Sequence, residues 1–187
     1  MKLIICEKPS VAKSVSSALG AKSRADGFYK GNGLLVSWCV GHLVSPMDAA
    51  GYDPGYKKWS YDDLPILPEP FRYVLAPDKE DAFENLRALM GRPDVDTVVN
   101  ACDAGREGEL IFRLVYEMAG CTKPILRLWI SSMEDAAIRV GFQNPRPGAD
   151  DDALYQSAPC WLKPHCPAGI TPTPLFSVHY HRPLNRG

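Results

Sequence analysis

Two short apolar runs constrain this chain more than anything else in it, because each breaks off into a charged turn and then a helix signal. The first, KLIIC at residues 2–6, ends in Glu7-Lys8-Pro9-Ser10. Ser10 stands where an N-cap would open a helix over 11–19, and Gly20 would close it. The second, TVVNA at 97–101, runs into a tight turn over 102–108 and then a strongly amphipathic helix over 109–119, ended by Gly120. Short apolar runs of this kind, bounded by turn signals, read as strands covered on both faces. Strand–helix alternation with short connections predicts an α/β domain with a mainly parallel sheet flanked by helices.

The remaining signals extend that pattern. Gly31-Asn32-Gly33 between the apolar runs of 28–43 reads as a β-hairpin turn. Residues 44–70, rich in Pro, Gly, Asp and Tyr, read as a surface excursion with little regular structure. A strand is expected over 71–75. Asp78 would cap a helix reaching Met90, with Ala82, Leu86 and Leu89 on one face. Residues 124–130 read as a strand, and Ser132 would cap a helix over 133–142. No internal repeat is visible.

From Asn144 the texture changes. Residues 144–150 (NPRPGAD) read as a linker and 151–158 as the start of a helix. Six of the 17 prolines then fall between 159 and 183. Each costs roughly 3 kcal/mol inside a helix, so an irregular Pro-rich tail is expected. The division is therefore 1–143 as the α/β domain and 144–187 as linker and tail.

Composition excludes several classes. No run of about 18 apolar residues exists, so no membrane partner is expected. The apolar stretch at the start is too short for a secretory leader. Six cysteines without a CxxC pair then read as reduced thiols in the cytoplasm. A formal charge of −1 excludes a globally basic nucleic-acid coat, but not a local basic groove around an acidic site.

The chemistry is expected at the carboxyl ends of the two strands, where ligands of open α/β sheets bind. Glu7 follows the first strand; Asp103-Ala104-Gly105-Arg106-Glu107-Gly108-Glu109 follows the second. Glu7, Asp103 and Glu107 can converge on one acidic pocket. Hard oxygen donors of that kind suit Mg²⁺, which takes one or two carboxylates and keeps waters for a phosphate. Lys8 and Arg106 beside them can hold a phosphodiester. Each feature also has a plain structural reading. Glu7 alone could be a solvated loop residue, and acids at a helix start are favourable on the dipole. Glu109 reads as helix surface, and Gly105 and Gly108 as turn residues. No GxxxxGK[ST] occurs, so ATP is not an expected cofactor.

A strand ending in E-K-P-S, paired with a strand followed by D-A-G-R-E-G-E-L, resembles the Toprim domain of type IA DNA topoisomerases, most of all the bacterial topoisomerase III branch. Gly41-His42-Leu43, WSYDDLPILP (59–68) and Trp129-Ile130-Ser131-Ser132 are similar to that family too, and the resemblance covers residues 1–158. It implies single-strand DNA cleavage and rejoining through a phosphotyrosine, without ATP. Glu7 would handle the proton of the leaving 3′-oxygen. Asp103 and Glu107, with Glu7, would hold Mg²⁺; Lys8 and Arg106 would contact the phosphate. The implied partners are single-stranded or underwound DNA, and the implied location is cytoplasmic and nucleoid-associated.

Two departures bear on activity. The family pattern D-x-D-x-E has Gly105 at its middle position, which favours one Mg²⁺ ion over two. None of the eight tyrosines, Tyr180 included, lies in the family's T-Y-P-R-[ST] context. A chain lacking that nucleophile is expected to be inactive alone. Residues 175–187 (LFSVHYHRPLNRG) look like the lead into the family's next domain, but Trp161–Cys166 and Pro174 depart from it. The expectation is a truncated, decaying or error-bearing copy of a longer enzyme, with a separate chain supplying the other domains. A non-catalytic nucleic-acid-binding or assembly module and a stand-alone Toprim nuclease are the competing readings. The spacing of His165, His179 and His181 with Cys160 and Cys166 fits no established zinc pattern.

Overall fold

The computed structural model describes residues 1–58, 70 and 72–157. Its core is a seven-stranded sheet with the order β2-β3-β4-β1-β7-β8-β9. The strands are β1 (Lys2–Cys6), β2 (Ser23–Ala25), β3 (Phe28–Gly31), β4 (Leu34–Trp38), β7 (Thr97–Ala101), β8 (Ile125–Arg127) and β9 (Arg146–Pro147). The four central strands β4, β1, β7 and β8 are parallel, and antiparallel pairs flank them at both edges. The expected α/β sheet is what forms.

β1 explains why. It pairs on both sides, with Cys6 opposite Trp38 on β4 and Ala101 on β7. Its side chains alternate between two cores. Leu3 and Ile5 face a cluster with Phe83, Leu86 and Phe112, while Ile4 and Cys6 face one with Val11, Val15 and Ile138. The first cluster is covered by helices α3 (Glu80–Gly91) and α4 (Arg106–Met118), the second by α1 (Pro9–Leu19) and α5 (Asp135–Gln143). The hairpin turn falls at Asn32-Gly33, both at positive φ (50° and 73°), as a tight two-residue turn requires.

Several boundaries differ from expectation, each for a local reason. Helix α1 starts at Pro9, because proline's fixed φ suits the first helical position; Ser10 lies inside the first turn and caps nothing. Asp78 takes a positive φ of 60° and stays outside α3, whose first turn carries Glu80 and Asp81. Ser132 accepts a hydrogen bond from the Glu134 N–H (3.2 Å), and α5 begins one residue later. β8 is shorter than the run 124–130, ending where Arg127 turns inward.

Residues 44–58 are also more regular than expected. They form β5 (Val44–Pro46), the short helix α2 (Ala49–Tyr52) and a 3₁₀ turn (Pro54–Lys58); β5 pairs with β6 (Tyr73–Leu75). Arg146 and Pro147, read as linker, instead add an antiparallel edge strand beside β8. A 3₁₀ turn (Gly148–Asp151) and helix α6 (Asp152–Ser157) follow. α6 lies on α4, where the Tyr155 hydroxyl donates to Glu117 (2.9 Å) and Arg113 sits over the Tyr155 ring. The readings placed on 59–68 and 158–187, including the tail histidines and Tyr180, lie outside the described residues. Among the described residues no helix is long and apolar enough to cross a membrane. Cys6, Cys39, Cys102 and Cys121 are free thiols.

Candidate active site at the strand ends

Because β1 and β7 are adjacent and parallel, the two charged turns leave the sheet from the same edge. Glu7 follows directly on Cys6 and is half-buried. Its carbonyl accepts from the Gly41 N–H (3.4 Å), so the Gly41-His42 turn after β4 lies beside it. Lys8, exposed and in extended backbone, is the cap position of α1.

Asp103 leaves β7 two residues beyond its end, and its backbone packs onto α4. That helix starts at Arg106, three residues earlier than the sequence suggests, so Glu107 and Gly108 are helical rather than part of a turn. Gly108 makes this possible. A β-carbon there would stand 2.7 Å from Asp103 N and 2.9 Å from Asp103 C, closer than real β-carbons approach any atom. Gly105, by contrast, is extended (φ 175°) with open space around its β-position, so nothing in its geometry demands glycine.

The Glu7 and Asp103 carboxyl groups come together. Burial first, then the neighbouring Asp103 carboxyl, hold the Glu7 pKa above the ordinary glutamate range, against the opposing pull of Lys8. Glu107 does not join them: its carboxylate pairs with His42 Nε2, and both side chains are substantially exposed. Lys8 and Arg106 are exposed at the N-termini of α1 and α4, the helices that follow the two acids in the chain. Among the described residues no three His, Cys, Asp or Glu side chains stand as a ready metal cage. The Glu7–Asp103 pair still fits Mg²⁺ in its chemistry, since two crowded carboxyls supply hard oxygens and an ion needs only one or two of them.

Two residues were missed or misplaced by sequence reasoning. No spacing rule ties His42 to a residue 65 positions away. Glu109, read as helix surface, is 1% exposed. It accepts from Asn100 Nδ2 (2.8 Å) and Arg113 Nε (2.8 Å) and lies 3.3 Å from Arg127 Nε. The Arg127 contact is off-axis and acts as an ion pair, leaving that Nε without a hydrogen-bond partner. A buried carboxylate needs such partners, and they come from β7, α4 and β8, out of reach of local pattern.

Acids at the ends of two adjacent parallel strands, each followed by a cation at the start of a helix, define the charged edge of an α/β domain. The Toprim domain profile matches residues 2–133, and this chain belongs to the Toprim domain family. It is 38% identical over 185 residues to DNA topoisomerase 3 from Bacillus licheniformis and to that from Bacillus anthracis, and 37% identical to that from Bacillus subtilis. Each comparison covers 99% of this chain, which spans about a quarter (25%) of the relatives' length. Full-length topoisomerase I from Thermotoga maritima shares the fold, with a TM-score of 0.56 at 21% identity, over 86% of this chain and 23% of that one.

Proposed function

We propose that this chain is the Toprim portion of a topoisomerase III-like type IA DNA topoisomerase, acting on single-stranded or underwound DNA. The observation that carries this reading is the adjacency of Glu7 and Asp103, with the Glu7 pKa raised by burial and by its neighbour. A carboxyl in that state holds its proton more tightly than an ordinary glutamate and can give it to a leaving 3′-oxygen, taking it back when the strand is rejoined. Asp103, with Glu7 and with Glu107 once released from His42, would hold one Mg²⁺. When bound, the ion offsets phosphodiester charge. Lys8 and Arg106 would grip the phosphate oxygens and stabilise charge growing on them. The attacking tyrosine is assigned to another part of the assembly, because none of the eight tyrosines here lies in the family's context. ATP has no role in this scheme.

The test is to incubate the chain with Mg²⁺ and negatively supercoiled plasmid and follow topology on a gel. Unchanged plasmid is expected, with cleavage appearing only when a tyrosine-bearing partner is supplied. Nicked product from this chain alone, abolished by Glu7→Gln, would make it a metal-dependent nuclease instead. Relaxed closed circles would place the nucleophile within these residues.

A further inference from the structure

The turn that carries Asp103 is held from beneath by one side chain. Arg127, the last residue of β8, is 1% exposed. Its Nη1 donates to the carbonyls of Cys102 (2.7 Å) and Asn100 (3.1 Å), and its Nη2 to the carbonyl of Asp103 (2.5 Å). Asn100 Oδ1 accepts Nη1 (3.2 Å) and also the Cys102 N–H (3.0 Å). The whole step from β7 into the Asp103 turn is therefore tied to one rigid guanidinium fork. A lysine ammonium, compact and on a flexible stem, cannot span those acceptors together.

We infer that Arg127 is the positioning residue for Asp103, fixing through the Cys102 and Asp103 carbonyls the direction in which the Asp103 carboxylate leaves the sheet. The inference rests on the reading of Asp103 as a ligand, for which that direction matters. Arg127 itself is buried below the turn and acts only through this backbone. Its counter-charge is Glu109, which keeps Arg113 and Asn100 as partners when Arg127 is removed. No buried carboxylate is then orphaned: the Asn100 carbonyl keeps the Leu128 N–H (2.9 Å), the exposed Asp103 carbonyl can take water, and only the Cys102 carbonyl loses its donor. Loss of Arg127 should loosen the turn rather than the core.

The test uses the full chain with Arg127→Lys and, as a variant that keeps the stem and fills the slot, Arg127→Met. Amide hydrogen exchange across 102–105 is expected to quicken about tenfold or more while Leu3–Ile5 on β1 stays as protected as before, which is the mark of a local opening. Calorimetric titration should show Mg²⁺ affinity weakened about tenfold, the scale seen when a ligand's outer support is removed. Ile138→Val, a change in the far core, should leave both readouts unmoved. Unchanged exchange at 102–105 in a folded variant would overturn the assignment. A uniform rise across the sheet, or failure of both variants to fold, would make Arg127 a general support and overturn it as well. If the unaltered chain takes up no Mg²⁺ but the turn still loosens, the ligand reading fails and the positioning role stands.

Discussion

A β-carbon on Gly108 would stand 2.7 Å from the backbone nitrogen of Asp103, so the helix and the acidic turn meet at a distance only glycine allows. The neighbours are backbone and cannot swing aside as a side-chain tip would. Gly108→Ala gains up to about 1 kcal/mol in helix propensity. Displacing the turn should cost more, leaving a net loss of about 1–2 kcal/mol, or roughly 3–6 °C in Tm for a chain of this size. Scanning calorimetry checks it; a variant melting at or above the parent would mean that the turn yields freely.

Glu7 is destabilising in its ionised form. Its folded-state pKa lies above the unfolded value, so the folded chain binds the proton more tightly. The associated stability is fully present below the unfolded pKa, roughly 4.3, and is lost as pH rises through the higher folded value. Glu7→Gln should therefore melt with the parent near pH 4 and higher than it at pH 7. The gain should stay under about 3 °C, because solvent screens a half-exposed carboxyl. Equal melting at both pH values would remove the strain between Glu7 and Asp103.

Glu109 answers the charges of Arg113 and Arg127 inside the protein. Glu109→Ala would strand the Arg127 guanidinium, which burial already disfavours. Breaking a buried pair from one side costs about 3–5 kcal/mol. Urea unfolding should show that loss in full, and a loss under about 1 kcal/mol would mean that water reaches the site.

Glu109 also marks the limit of what was legible in the sequence. The strands KLIIC and TVVNA were readable because both faces of each are covered, and apolar runs announce that. Glu7 and Asp103 were readable as partners because parallel strands send their carboxyl ends to one edge. The start of α4 was not, since a glycine at 108 looks like a turn residue until the Asp103 backbone is seen against it. The partners of Glu109, and the pairing of Glu107 with His42, join residues from separate elements. No periodicity within one element can encode them.

On the proposed reading, His42 competes with the ion for Glu107. Their pair is exposed, so it holds the carboxylate by no more than about 1 kcal/mol. His42→Ala should free Glu107 to turn toward Asp103 and raise Mg²⁺ affinity by about two- to fivefold, within that limit. Titration calorimetry on the variant and on Glu107→Gln separates the two roles. If Glu107→Gln leaves Mg²⁺ affinity unchanged, Glu107 is no ligand and belongs to His42 alone.

Gly105 is the one position where the acidic pattern of the family can be restored without moving the backbone. Its φ of 175° suits any residue, and its β-position meets no atom within 4 Å. An aspartate there would occupy the N-cap of α4, accept a first-turn N–H and gain about 1 kcal/mol. It would also add a carboxylate beside Glu7 and Asp103, a repulsion of similar size when no cation is present. Gly105→Asp should therefore melt within about 3 °C of the parent without metal. If the ion sits where proposed, millimolar Mg²⁺ should offset the repulsion, and the melting temperature should rise more in the variant than in the parent. Affinity should improve about tenfold, as ligand charge count is what tunes such sites. A variant destabilised equally with and without Mg²⁺ would show that position 105 does not face the ion.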